Sequence, residues 1–387
     1  MMLSDTAVLW DPTYQEATVT ILRPLALLGL LPLAGLAVSC SPRVPPFLNG
    51  IDENYYLLQG RPKNYTQDGR LIPPQDLPYR YFAGKGVNFA RIRCWVGKSK
   101  EGNYDNAVAN ARAARDAGLK TLLVIFLSDG WSAYKDNDAA AIFKDLPYEQ
   151  RKTAVRDYCR DLIRRFGRDG VRFDLYAVGN EIDAGICGES TRTCVAGILN
   201  AAYEGVRQVD PRAKFVLHVA RSGRPAWLCS YFGSMLNRYG VAYDYASVSF
   251  YPIGMGGKAF DLLKRVIEAV YTHTNRPVII SEWAYPDSYV PTDRHWGATW
   301  GNHPVNGYPQ TPKGQADFVR DLLAWGRRSP ALAGVFYWSP MLNTDEGLWG
   351  WVWFSLFNPE GRAKPAVDSL RYGAAGVRLE AHGRSHR

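Results

Sequence analysis

Eight short β-type runs alternate with amphipathic helical stretches, and no linker-like break interrupts them after residue 48; together they predict an α/β fold, a single closed (β/α)8 barrel of the TIM type. Two glutamates each close an apolar run: Glu181 after Tyr176–Asn180, and Glu282 after Pro277–Ser281. An open doubly wound sheet is the alternative, and it normally carries a glycine-rich phosphate turn after its first strand, which this sequence lacks.

The strand candidates in order are Asn49–Asp52, Val87–Trp95, Thr121–Phe126, Leu175–Val178, Phe215–Val219, Ala246–Tyr251, Val278–Glu282 and Gly334–Trp338. Helical patterns fill the gaps. Gln150 to Phe166 sets Val155, Tyr158, Cys159, Leu162, Ile163 and Phe166 at three-and-four spacing, one apolar stripe to lay on a sheet. Asp105 is the expected cap of a helix that Gly118 ends, and Thr311-Pro312 opens another running through Phe318, Leu322 and Trp325.

Ahead of the barrel, Arg23 precedes an apolar stretch from Leu25 to Val38 that is too short for a permanent membrane span, and small residues lead into Cys40. Leu36-Ala37-Val38-Ser39-Cys40 resembles a bacterial lipobox, although Asp5, Asp11 and Glu16 are atypical of a signal's n-region. The expected organisation is an export signal over residues 1–39, a Pro-rich tether over 40–48, the barrel over 49–372 and a polar tail over 373–387. Membrane contact is expected only through a lipid anchor at Cys40, and the expected location is extracellular or at the cell surface.

The chain has 387 residues and a formal charge of +9, and residues 40 onward carry +11. The basic residues are scattered as pairs such as Arg164-Arg165 and Arg327-Arg328, which read as solvated helix faces and argue against a nucleic-acid partner. The 12 Trp and 23 Tyr residues suit a sugar-binding cleft. Of the cysteines, only Cys187 and Cys194 are close in sequence; a disulfide stapling the loop after Glu181 and a pair of free thiols are both open. No spacing resembles a zinc site and no Gly-x-Ser-x-Gly elbow exists, so neither a metal, a cofactor nor a serine nucleophile is expected.

In a barrel the carboxyl ends of the strands surround one mouth, so Glu181 and Glu282 would face each other across it. A retaining glycosidase needs one carboxyl to protonate the leaving oxygen and another, about 5–5.5 Å away, to attack the anomeric carbon. Asn180 can hold a sugar 2-hydroxyl, Arg91 and Tyr251 can hold Glu282 ionised, and Trp338 offers a flat apolar face.

Gly86–Trp95, Ser128–Trp131, Val178–Ile182, Val216–His218, Ser249–Pro252, Glu282–Pro286, Tyr308–Gln315 and Gly334–Trp338 resemble, in order, the blocks of glycoside hydrolase family 53, the endo-β-1,4-galactanases of the large retaining barrel clan. The resemblance implies an enzyme cutting β-1,4-galactan (arabinogalactan type I) by double displacement, with Glu181 as acid/base and Glu282 as nucleophile. It also implies that Asp129, Trp131 and His218 line the cleft. Another retaining β-glycosidase of the same clan, acting on mannan, glucan or a β-galactoside, and an inactive glycan-binding barrel are the alternatives. Three departures bear on which sugar fits: Phe126-Leu127 replace a His-Tyr pair, Ile253-Gly254 stand near an expected tryptophan, and Ser339 replaces a glutamate. Some bacterial members bind calcium in a long loop after the eighth strand; here Asn343, Asp345 and Glu346 lie in a short one.

Overall fold

The computed structural model describes residues 46–58, 64–98, 101–293, 295–343 and 351–374. The expected signal over 1–39, Cys40, Asp345 and Glu346 lie outside the described residues. The strands are β1 (Leu48–Asp52), β2 (Phe89–Cys94), β3 (Lys120–Ile125), β4 (Leu175–Val178), β5 (Phe215–Val219), β6 (Tyr245–Phe250), β7 (Val278–Trp283) and β8 (Leu332–Trp338). Each pairs in parallel with the next, and β8 returns to β1 with Trp338 opposite Asp52, closing the predicted barrel.

A helix follows each strand: α1 (Tyr79–Gly84), α2 (Tyr104–Asp116), α3 (Tyr148–Arg168), α4 (Arg192–Arg207), α5 (Pro225–Asn237), α6 (Ala259–Thr274), α7 (Pro312–Gly326) and α8 (Ala366–Ser369). The α3 stripe buries Val155, Cys159, Leu162, Ile163 and Phe166. Burying such an apolar side chain contributes about 1.5–3 kcal/mol, which holds the helix layer on the strands. The cap of α2 differs from expectation: the Asn103 side chain accepts from the Asn106 N–H at 2.8 Å. Asp105 sits in the first turn, where a carboxylate complements the positive helix end. Thr311 caps α7 by accepting from the Gly314 N–H at 3.0 Å, with Pro312 at the first helical position.

Alternation along the strands sorts the barrel interior by height. At the base, Phe89, Leu122, Leu175, Val216, Ile279 and Phe336 form an apolar plug. Gly50 makes room for it: a Cβ there would lie 2.2 Å from the Phe336 ring. Higher up, the same inward parity carries Arg91, Arg93, His218 and Ser249, all buried. On β7, Ser281 points inward to the Ser247 hydroxyl at 2.5 Å, so strict alternation would turn Glu282 outward. A register shift after Val248 brings Glu282 opposite Ser249 instead, the kind of irregularity that re-aims a side chain at a barrel rim. Cys187, in the connection after β4, and Cys194, in the first turn of α4, are free thiols.

Candidate active site

The end of β4 is bent by its backbone. Gly179 has φ +79°, and a Cβ there would strike the Ile182 side chain at 2.4 Å. Glu181 itself has φ +48°, the left-handed region that costs a non-glycine residue about 1 kcal/mol. Hydrogen bonds from Gly179 N to the Ile125 carbonyl (2.8 Å) and from Ile182 N to the His218 carbonyl (3.1 Å) hold the bend between β3 and β5. The carboxylate is thereby turned over the mouth.

Arg91 links the strands across that mouth. Its Nη1 donates to Glu282 Oε1 at 3.0 Å and to the Asp52 carboxylate, and its Nη2 donates to Asn180 Oδ1 at 2.6 Å. The Tyr251 hydroxyl donates to Glu282 Oε2 at 3.1 Å, so both oxygens of Glu282 have a donor. Asn180 spends one N–H on the Ser132 carbonyl at 3.1 Å, which leaves its second for a ligand.

Glu181 is held from below. His218 Nδ1 faces the Glu181 backbone N–H at 3.4 Å and Arg91 Nη2 at 3.5 Å, both donors, so Nδ1 is the acceptor and the ring proton lies on Nε2. That nitrogen meets the Ser249 hydroxyl at 3.0 Å, and the hydroxyl donates to Glu181 Oε1 at 2.5 Å. Burial and the Arg91 charge keep the imidazole neutral, well below its ordinary range. His218 therefore orients Glu181 through Ser249 and carries no charge of its own.

Ser249 also connects the two carboxyls, because it bonds Glu181 through its side chain and pairs with Glu282 in the sheet. Burial pushes Glu181 up to about 7, helped by the Asp183 charge and opposed by Ser249 and Arg91. Burial raises Glu282 as well, with Arg91 opposing and the Glu181 and Asp52 charges adding. The Glu181 charge opposes ionisation of Glu282, as two like charges sharing one buried site do. The guanidinium and phenol on Glu282 favour the anion there, whereas no cation donates a hydrogen bond to Glu181 among the described residues.

Aromatic rings surround the pair. Trp338 is 4% exposed, with the edges of Tyr55, Trp131 and Trp351 around it at 6.2, 6.1 and 4.3 Å between centroids. Trp131 is half-exposed, and the Arg93 guanidinium lies 5.1 Å from its ring centre. Asp129 is exposed, and its Oδ2 accepts from the Ala141 N–H at 2.7 Å, capping a short helical turn. Asn343 is occupied structurally, with its side chain between Tyr65 and the Asn358 carbonyl.

Two of the three departures are filled from elsewhere in the chain. Phe126 packs edge-on to Trp95 and against Trp131, so the His-Tyr position is apolar. Trp300, from the β7–α7 connection, stacks on Tyr251 at 4.6 Å and lies against Gly254, covering the ground left beside Ile253. Glu53, just past β1, accepts from Met341 N at 2.9 Å and so brings a carboxylate to the turn after Ser339. Asp52 and Ser249 are functional neighbours that residue-type reasoning passes over. Asp52 ends a strand as the glutamates do, which is a usable signal; Ser249 is marked only by its place in the Ser249–Pro252 block.

A closed parallel barrel with a buried carboxyl pair at the ends of β4 and β7 defines a glycoside hydrolase. Residues 63–370 match glycosyl hydrolase family 53, and the chain belongs to that family. It is 27% identical to the endo-β-1,4-galactanase of Bacillus subtilis (strain 168) over 314 residues, 73% of this chain and 72% of that one. It is 26% identical to the arabinogalactan endo-β-1,4-galactanase of Cellvibrio japonicus (strain Ueda107) over 328 residues, 79% of this chain and 84% of that one. The GH53 catalytic domain of Ignisphaera aggregans shares the fold with a TM-score of 0.75 at 22% identity, over 86% of this chain and 98% of that one.

Proposed function

We propose that this protein is a retaining endo-β-1,4-galactanase in which Glu181 is the acid/base and Glu282 the nucleophile. The observation that carries the reading is the asymmetric solvation of the pair: Glu282 receives the Arg91 cation and the Tyr251 hydroxyl, while Glu181 receives only neutral donors, the Ser249 hydroxyl and the Tyr134 N–H. In the first step Glu181 gives its proton to the glycosidic oxygen as Glu282 attacks the anomeric carbon. The C–O bond breaks, the shortened glycan leaves, and an ester joins Glu282 to the sugar. In the second step Glu181, now ionised, takes a proton from the attacking water, and the ester bond breaks to free Glu282 and a product of retained configuration.

Asn180 binds the 2-hydroxyl with its remaining N–H, Arg91 and Tyr251 hold the nucleophile ionised, and Trp338 meets the sugar ring. Trp131 and Asp129 contribute at the rim, and His218 acts from beneath. The names of the relatives support galactan as the substrate. The expected result is that Glu282→Gln abolishes reducing-sugar release from β-1,4-galactan while circular dichroism shows the fold intact. Hydrolysis at a comparable rate by that variant refutes the assignment, and faster release from mannan or glucan than from galactan refutes the substrate. The lipobox-like run supports export with Cys40 as lipid acceptor; cell fractionation of the full chain and of Cys40→Ala tests this, and equal partition of both rejects it.

A further inference from the structure

The connection from β3 to α3 carries two half-exposed rings, Trp131 and Tyr134, each 39% exposed, and Tyr134 has no part in the chemistry above. Between the rings, the Ser132 carbonyl accepts from Asn180 at 3.1 Å, and the Tyr134 N–H faces the Glu181 carboxylate. The turn is closed on itself by the Ala133 N–H on Asp136 Oδ2 at 3.1 Å, and it is tied to the β4–α4 connection by Gly188 N on the Asn137 carbonyl at 2.5 Å. Tyr134 is thus held in register with the proton donor. Trp131 leans the other way, toward Trp338 and Arg93.

We propose that Tyr134 is a specificity-determining residue, a flat platform for the β-1,4-linked galactosyl unit that departs with the proton of Glu181. The inference rests on the galactanase reading and adds the leaving-group side to it. A departing sugar has its glycosidic oxygen at Glu181, so its ring lies within one sugar's length of that residue. The exposed ring anchored there through its own backbone is Tyr134. An aromatic face is electron-rich and attracts the polarised C–H face of a pyranose. Lys135 holds its ammonium 5.3 Å from the ring centre and covers at most one face, leaving the other for the sugar.

The test is end-labelled β-1,4-galactohexaose cleaved by the wild type, Tyr134→Ala, Tyr134→Leu and Tyr134→Phe. The Ala and Leu variants should raise KM by about tenfold, equivalent to about 1.4 kcal/mol, and shift the main cleavage position. The effect should fall on KM more than on kcat. The Phe variant, which keeps the face, should restore both readouts, and melting temperatures should agree among all four. Unchanged KM and cleavage position in Tyr134→Ala, with a wild type that degrades galactan, overturns the inference while leaving the galactanase reading intact. A wild type inert on galactan overturns both.

Discussion

Removing the Ser249 hydroxyl isolates one contribution to the acidity of Glu181. The hydroxyl donates to Oε1 at 2.5 Å, and no other side-chain donor reaches that oxygen among the described residues. A neutral hydrogen bond contributes about 1 kcal/mol and one to a charged acceptor about 2 kcal/mol, so Ser249 favours the ionised form of Glu181 by about 1 kcal/mol. Ser249→Ala should raise the proton affinity of Glu181 from its value of about 7 by a further 0.7 or so on the pH scale. Because the first displacement needs Glu181 protonated, the basic limb of kcat/KM against pH moves upward while the acid limb, set by Glu282, stays in place. Initial rates on galactan between pH 4 and 10 measure both limbs. A basic limb that stays put or moves down shows that Ser249 does not tune the acid and refutes the reasoning.

Other perturbations follow from the same geometry. The ordinary pKa of Glu181 is 4.5 and its folded value about 7, so its ionisation opposes folding: stability is fully present below 4.5, falls as pH rises and levels off above 7. Glu181→Gln should therefore be more stable than the wild type at pH 8 by about 3 kcal/mol and nearly equal to it at pH 4, as read from urea unfolding. Arg91→Ala leaves Asp52 and Glu282 buried without their shared cation and should cost about 3–5 kcal/mol in the same assay, besides abolishing activity. Gly50→Ala forces a methyl into the Phe336 ring at the barrel base and should cost about 1–3 kcal/mol with no change in KM.

The barrel is legible in the sequence because its strands are short apolar runs at regular intervals, and each predicted run falls on an observed strand. Glu181, Glu282, Asn180 and Tyr251 are legible for a related reason: polar residues that end apolar runs stand out, and closure brings strand ends to one mouth; Arg91 lies inside β2 and stands out as a charge within a strand. Asp52 is harder to read, since its partners Arg91 and Arg93 become neighbours only when β1 meets β2 and β8. Glu282 reaches the interior through a register shift that periodicity does not reveal. Trp300 supplies its ring from a connection far along the chain from Tyr251, so the loss of a tryptophan beside Ile253 looks in sequence like a loss of surface. Tyr134 escapes notice because its position depends on backbone bonds from a loop without regular structure. The Asp105 cap is misread because Asn103, two residues earlier, is an equally good acceptor and the helix begins one residue after it.

Asp52 holds both Arg91 and Arg93 at the foot of the mouth. Counting these three with the two glutamates, the resting site is electrically neutral: two guanidinium cations are matched by Asp52 and by the anion on Glu282. When Glu282 becomes an ester its charge vanishes, and Glu181, having lost its proton, gains one. The total is unchanged. In the proposed cycle a negative charge simply crosses from β7 to β4 and back, so the dry interior never has to accommodate an uncompensated ion at any resting point between substrate entry and product departure.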